Sequence, residues 1–148
     1  MTHLQFTVYA VPVAQPRQRH RIVNMRGGKS FVHNYTPAKD PVNAYKYELK
    51  QRARVYMDGA PLLEGPLKLS LHLYLPRPKL YDGKKWPAGP IWHKGRKDFD
   101  NLAKSVADAL TGIVWRDDGQ ICWAEVAKLY HERDGARGVE RDEIEQRG

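Results

Sequence analysis

The sequence is poor in cysteine and has no long apolar run. Cys122 is the single cysteine among 148 residues, which excludes an internal disulfide framework and a cysteine-rich zinc site. No apolar stretch approaches the roughly 20 residues that a membrane-spanning helix needs, and the mean hydropathy is −0.68. The N-terminus also lacks the apolar core of a secretion signal. These absences predict an intracellular, reducing location and no membrane partner.

Several common catalytic signatures are missing as well. The sequence contains no G-x-x-x-x-G-K-[ST] phosphate loop and no H-E-x-x-H pair among its histidines. Its acidic segments lack the glycine and the later glutamate of an EF-hand calcium loop. We therefore exclude P-loop nucleotide chemistry, zinc proteases of that signature and EF-hand calcium binding.

Acidic residues are absent from the first 39 positions, so positive charge is concentrated there. Lysine and arginine total 25 against 17 aspartates and glutamates, a net charge of +8. A second basic stretch, residues 76–97, contains Asp82 as its one acid. Clustered positive charge favours a polyanion such as nucleic acid over a basic surface kept for solubility.

The hydrophobic periodicity predicts one α+β domain over residues 1–148, with a mixed β-sheet and two main helices packed on it. One helix begins after Asp40 and ends at Asp58-Gly59, where capping and turn residues lie. A second helix is expected over residues 101–110. The expected strands are residues 4–11, 22–25, 30–35, 67–75 and 120–130, of which 22–25 and 30–35 form a hairpin.

Two segments resist this assignment. Residues 76–97 are rich in proline and glycine and exceed the usual loop length, which indicates a functional or disordered stretch. Residues 131–148 form a charged tail. There, Val139 and Ile144 are compatible either with a weak last strand or with a frayed end.

The most informative segment lies where the long basic loop enters the second helix. Asp98 and Asp100 are two residues apart, and in an extended chain such side chains face the same way. Lys104 follows one helical turn after Asp100, and Asp117 and Asp118 lie in another turn at the mouth of a strand. Converging carboxylates repel one another unless a cation binds, and Mg²⁺ prefers carboxylate oxygens. The spacing therefore predicts a Mg²⁺ site that acts on phosphodiester bonds.

Each of these residues also has an ordinary structural interpretation. Asp100 is compatible with a helix cap, and Asp98 with a solvated turn. Asp117 and Asp118 are common turn residues, and Lys104 has the spacing of a surface ion pair with Asp108. The residues alone leave these alternatives open.

A longer pattern then becomes visible. Asp98-Phe99-Asp100-Asn101-Leu102-x-Lys104, with the later Trp115-x-Asp117-Asp118-x-Gln120, resembles the RusA-type Holliday-junction resolvases, small bacterial and phage endodeoxyribonucleases. The resemblance implies that Asp98, Asp100 and Asp118 bind Mg²⁺ or Mn²⁺ and that Lys104 is needed for catalysis. Asp117 aligns with the first acid of the later pair. It also implies a homodimer that makes paired, symmetric nicks in a four-way DNA junction during recombination and repair, in the cytoplasm of a bacterium that carries a cellular or phage gene.

The basic residues complete this hypothesis. We expect phosphates of the junction arms to bind Arg17, Arg19, Arg21, Lys84, Lys85 and Arg96. In the long loop, Trp86 or Trp92 either stacks on an unpaired base or packs the loop onto the domain, and packing is the favoured interpretation. The competing functions are a non-catalytic module that binds branched nucleic acid, a nuclease for flaps or forks, and a nucleotidyltransferase.

Overall fold

The computed structural model describes residues 3–133 and the backbone of residues 142–147. Two α-helices and two β-sheets in this part of the chain confirm the α+β prediction. The elements are, in chain order, β1 (His3–Val8), β2 (Arg19–Asn24), β3 (Ser30–Tyr35), α1 (Pro41–Met57), β4 (Leu67–Leu75), β5 (Ile91–Trp92), α2 (Phe99–Leu110), β6 (Ile121–Tyr130) and β7 (Asp142–Arg147), with short 3₁₀ turns at Lys79–Tyr81 and Asp118–Gln120.

The main sheet has the strand order β1-β7-β4-β6-β5. Its β4 and β6 run parallel, whereas the other neighbouring pairs run antiparallel, so the sheet is mixed as expected. In β7, Ile144 pairs with Phe6 on one side and with Leu71 on the other. Thus residues 142–147 adopt the strand alternative considered for the tail, while Val139 lies outside the described residues. The strands β2 and β3 form a separate two-stranded sheet.

The core lies between the main sheet and the two helices. All five leucines of β4 are buried, as the alternation of that strand predicts. The apolar stripe of α1, which includes Leu49 and Ala53, packs into the same cluster as Leu102 and Val106 of α2. Trp115, which follows α2, is the largest of the fully buried side chains in the described chain. This core fixes α2 relative to β6.

The ends of the elements follow from local chemistry. Asp40 caps α1, because its Oδ1 accepts a hydrogen bond of 3.0 Å from the Val42 amide. Asp58 ends that helix in the left-handed conformation at φ 45°. The helix α2 begins two residues earlier than expected, at Phe99, because Asp98 occupies its N-cap. No helix in the described ranges is both long and apolar enough to cross a bilayer.

Candidate active site

Asp98 and Asp100 lie at the start of α2 with their carboxylates uncommitted. Asp98 has the extended N-cap backbone, with φ −69° and ψ 130°, yet its side chain makes no capping hydrogen bond. Asp40 holds the same position in α1 and does cap. Within the described residues, the side chains of Asp98 and Asp100 have no hydrogen bond or ion pair, and both residues are exposed. Their oxygens are therefore available to a ligand, and neither acid serves as a helix cap through its side chain.

Lys104 lies one turn further along the same helix. Its Nζ is 3.9 Å from Asp108 Oδ1, and Lys46 Nζ is 3.7 Å from the other oxygen of that carboxylate. The Lys104 side chain is 59% exposed, and a surface pair at this distance contributes little to stability. Partial burial lowers the pKa of Lys46, which outweighs the opposing effect of Asp108. Lys104 thus has the surface pairing that its spacing allowed, and a pairing this weak leaves its ammonium free to rearrange around a ligand.

The turn that carries Asp118 is built by a capping box. Asp117 Oδ1 accepts a hydrogen bond of 2.7 Å from the Gly119 amide, so Asp117 has a structural role in the turn. Asp118 begins the 3₁₀ turn and is exposed. Its side chain has no hydrogen bond or ion pair in the part of the chain that the structure describes. The turn therefore presents one uncommitted carboxylate.

Gln120 positions this turn, a role that the sequence analysis missed. Its Oε1 accepts hydrogen bonds from the amides of Arg116 and Asp117, at 2.9 and 3.0 Å. Its Nε2 donates to the carbonyls of Leu63 and Gly65, at 2.9 and 3.1 Å. Both amide protons and the carbonyl oxygen are thus engaged. The available signal was a glutamine three residues after an N-cap aspartate, which is the capping-box spacing.

The structure does not bring Asp118 to Asp98 and Asp100 within this chain. Lys128 Nζ, near the end of β6, donates to the Lys97 carbonyl, which ties the start of α2 to that end of the strand. Gln120, just before the opposite end of β6, binds the Leu63 carbonyl and holds the turn that contains Asp118 there. Between the two turns lies α2, whose 12 residues span about 18 Å, at 1.5 Å per residue.

The expected convergence of three carboxylates is therefore wrong for this chain by itself. Among the described residues, no group of three or more histidine, cysteine, aspartate or glutamate side chains is placed to hold a metal ion. The prediction assumed that the two turns are neighbours in space. In the fold, α2 begins at the first turn and ends at Leu110, so the helix lies between the two turns.

The six basic residues expected to bind phosphates are all exposed. Arg17 precedes β2, and Arg19 and Arg21 lie on it. The chain just before them packs on the start of α2: the Gln15 amide donates to the Asn101 carbonyl at 2.8 Å, and Ser105 Oγ donates to the Val13 carbonyl at 2.7 Å. The arginines that follow this segment therefore lie next to the start of α2, which carries Asp98 and Asp100. Lys84, Lys85 and Arg96 belong to the long loop.

The long loop is held by two arginines. The Arg77 side chain is only 1% exposed and donates to the carbonyls of Tyr81, Pro87 and Gly89. Arg133 donates to the carbonyls of Gly83 and Trp86. These bonds satisfy main-chain groups in a stretch whose regular structure is limited to a 3₁₀ turn and the two residues of β5.

The two tryptophans of this loop differ in their environment. Trp86 packs edge-on against Tyr81, with ring centroids 4.8 Å apart, which agrees with the packing interpretation. Trp92 lies on β5 and is 71% exposed. Of the two, Trp92 has the ring surface that a base would need.

Comparison with known proteins identifies the family. The family model described as endodeoxyribonuclease RusA matches residues 10–139. The chain belongs to the RusA endodeoxyribonuclease family. It is 34% identical over 139 residues to the uncharacterized protein YqaN of Bacillus subtilis strain 168, covering 89% of this chain and 91% of that protein. It is also 34% identical over 70 residues to a protein of Lactococcus phage r1t named crossover junction endodeoxyribonuclease rusA, covering 47% of this chain and 49% of the phage protein.

Membership confirms the resemblance seen in the sequence. This RusA-family chain is an endodeoxyribonuclease, a hydrolase that acts on phosphodiester bonds in DNA. The non-catalytic binding module and the nucleotidyltransferase are therefore set aside. The matched range contains Asp98, Asp100, Lys104 and Asp118, so these residues lie within the part of the chain that defines the family.

Proposed function

We propose that this RusA-family nuclease resolves four-way DNA junctions as a homodimer, by paired and symmetric Mg²⁺-dependent nicking in recombination and repair. The family assignment supports a crossover-junction substrate. One structural observation carries the catalytic part of the proposal. The uncommitted carboxylates of Asp98 and Asp100 lie at the start of α2. The segment that leads into the basic hairpin packs on this helix start.

The donor set fits a hard divalent cation. Carboxylate oxygens are the ligands that Mg²⁺ prefers, and Mn²⁺ accepts the same ligands. Asp98 and Asp100 would hold the ion together with Asp118. When bound, Mg²⁺ supplies positive charge at a phosphate and makes water more acidic.

The separation along α2 supports a homodimer. Within one chain, α2 is about 18 Å long and lies between the start that carries Asp98 and the turn that carries Asp118. The described residues of one chain also place no three such side chains around a metal ion. A two-fold related copy would offer its own Asp118 turn to the first protomer and receive the same in return. Asp98 and Asp100 of one protomer would then act with Asp118 of the partner subunit. Such a dimer has two equivalent sites, as two matched nicks require.

Other side chains of this protein bind the DNA, stabilise developing charge and position the Asp118 turn. Phosphates of the junction arms bind Arg17, which precedes the hairpin, Arg19 and Arg21 on it, and Lys84, Lys85 and Arg96 of the loop. Lys104 turns from Asp108 toward the scissile phosphate and stabilises the negative charge that develops there. Gln120 positions the turn that carries Asp118. Asp117 supports that turn and is not a metal ligand in this proposal.

The experiment that tests this function compares branched with unbranched DNA. The purified protein is incubated with a synthetic four-way junction, a flap, a fork and a linear duplex, each with Mg²⁺ and with EDTA. We expect paired nicks at symmetric positions of the junction, with Mg²⁺ only. Equal cutting of the linear duplex would refute junction resolution, and a clear preference for the flap or fork would assign the enzyme to other branched DNA.

A further inference from the structure

The hairpin of residues 19–35 stands apart from the core. It forms a sheet of its own, and eleven of its twelve strand residues are exposed, with Val23 half-buried. Its turn is permitted by Gly27 and Gly28, which both have positive φ. An isolated two-stranded hairpin is marginally stable in water. A hairpin that lacks a core behind it is best explained by a ligand that covers one of its faces.

The two faces of the hairpin differ in chemistry. Residues directly opposite in an antiparallel pair share a face. One face carries Arg19 opposite Tyr35, Arg21 opposite His33, and Val23 opposite Phe31, and we call it the aromatic face. On the other face, His20 bonds Asn34 and Ser30 bonds Asn24, so its polar groups satisfy one another. Ile22 and Val32 lie between these two pairs.

The aromatic face combines flat rings with positive charge. The Arg21 guanidinium lies 5.6 Å from the centre of the Tyr35 ring, and the His33 ring is nearly parallel to that of Tyr35 at 6.3 Å. Phe31 is 47% exposed, and its ring has no aromatic contact among the described residues. Tyr35 is thus already covered in part, and Phe31 is the ring that is free to stack.

The position of the hairpin relates this face to the cleavage site. Just before β2, the Gln15 amide binds the Asn101 carbonyl in the first turn of α2. Asp98 and Asp100 belong to the same helix start. From Gln15 to Val23, the residue opposite Phe31, the chain spans at most about 26 Å, at about 3.3 Å per residue. Branched DNA bound at the cleavage site therefore lies within reach of Phe31.

We propose that the aromatic face of the hairpin binds unpaired bases at the DNA branch point, with Phe31 stacking on a base and Arg19 and Arg21 on the flanking phosphates. The absence of acids from residues 1–39 favours DNA over a protein partner. Bases inside a duplex are already stacked on one another, so a protein ring gains contact only where bases are unstacked. The hairpin thereby distinguishes a branch from plain duplex. This inference rests on the proposed function, because it takes branched DNA as the substrate.

The test measures binding of the full-length protein to a labelled four-way junction and to a linear duplex, in EDTA so that neither is cut. Phe31→Ala and Phe31→Leu should weaken junction binding at least about fivefold, the lower end for loss of one stacked base. Duplex binding should not change. Phe31→Trp should restore the junction affinity, because it restores a ring. Ile22→Ala removes an apolar side chain from the opposite face and serves as the matched control, with no effect on either DNA.

The outcomes separate this inference from the proposed function. If the wild-type protein prefers the junction and Phe31→Ala keeps that preference, the hairpin inference fails and junction resolution stands. If the wild-type protein binds both DNAs equally, the hairpin does not distinguish a branch and the inference fails, whereas the proposed function is decided by the cleavage comparison of junction and linear duplex. The molecular mass of each variant is measured by light scattering. Dissociation of a dimer by Phe31→Ala would show that a second copy covers the face, and would also overturn the inference.

Discussion

Replacement of Gln120 by alanine tests how strongly one amide side chain controls the Asp118 turn. The change removes four hydrogen bonds, to the amides of Arg116 and Asp117 and to the carbonyls of Leu63 and Gly65. Three of these bonds are exposed, so water replaces them in the variant and each contributes near the lower end of about 0.5–1.5 kcal/mol. We therefore expect a loss of about 2 kcal/mol in the free energy of unfolding, and a midpoint about 4–8 °C lower.

The effect on activity should exceed the effect on stability. Below the new midpoint the protein remains folded, but the Asp118 turn is no longer fixed, and a displacement of about 1 Å can cost about 100-fold in rate. The rate of junction cleavage under single-turnover conditions should therefore fall about 100-fold. The Mg²⁺ concentration that gives the half-maximal rate should rise.

Two further variants, Gln120→Glu and Gln5→Ala, test this prediction more closely. Gln120→Glu places an oxygen against the carbonyls of Leu63 and Gly65 and should be no better than alanine. Gln5→Ala, at an exposed position of β1, is the control and should resemble the wild type. Unchanged cleavage and an unchanged Mg²⁺ requirement in Gln120→Ala would refute the positioning role.

Three other variants test the core, the helix lysine and the long loop. Leu71→Ala, at a fully buried position of β4, should lower the free energy of unfolding by about 2–5 kcal/mol in denaturant titrations, and a loss under 1 kcal/mol would contradict the packing described. Lys104→Ala should slow single-turnover cleavage by about 10²–10³-fold with junction binding retained, and a wild-type rate would remove Lys104 from the mechanism. Arg77→Ala should expose residues 83–89 to limited proteolysis, because the carbonyls of Pro87 and Gly89 lose their donor, whereas Arg96→Ala should not.

The parts of the fold that follow from local chemistry could be predicted from the sequence. The alternating leucines of β4 mark a strand with one face in the core, and Asp40 with Pro41 marks a helix start. In both cases the signal lies within a few consecutive residues. The hairpin of β2 and β3 was expected for the same reason, but its separation from the main sheet was not, because strand spacing says nothing about which sheet a strand joins.

The candidate site could be predicted only in part. The acidic residues were found because their types and spacing are unusual within a basic segment. Their relative positions depend on the length of α2 and on the hydrogen bonds of Gln120 and Lys128 to main-chain carbonyls. Every residue offers a carbonyl, so such contacts leave no pattern in the sequence. For the same reason, the role of Arg77 in holding the long loop could not be predicted from the sequence.

The central claim is that Asp98 and Asp100 of one protomer act with Asp118 of the partner subunit. Asp98→Asn and Asp118→Asn chains carrying different affinity tags are co-expressed, and heterodimers are isolated through both tags. Each variant alone should be inactive, but the heterodimer has one site with all three carboxylates intact. It should therefore nick the four-way junction on one strand, in the presence of Mg²⁺. Wild-type dimers that carry the same two tags are the control and should cut the junction. If the control cuts and the heterodimer does not, the account is contradicted.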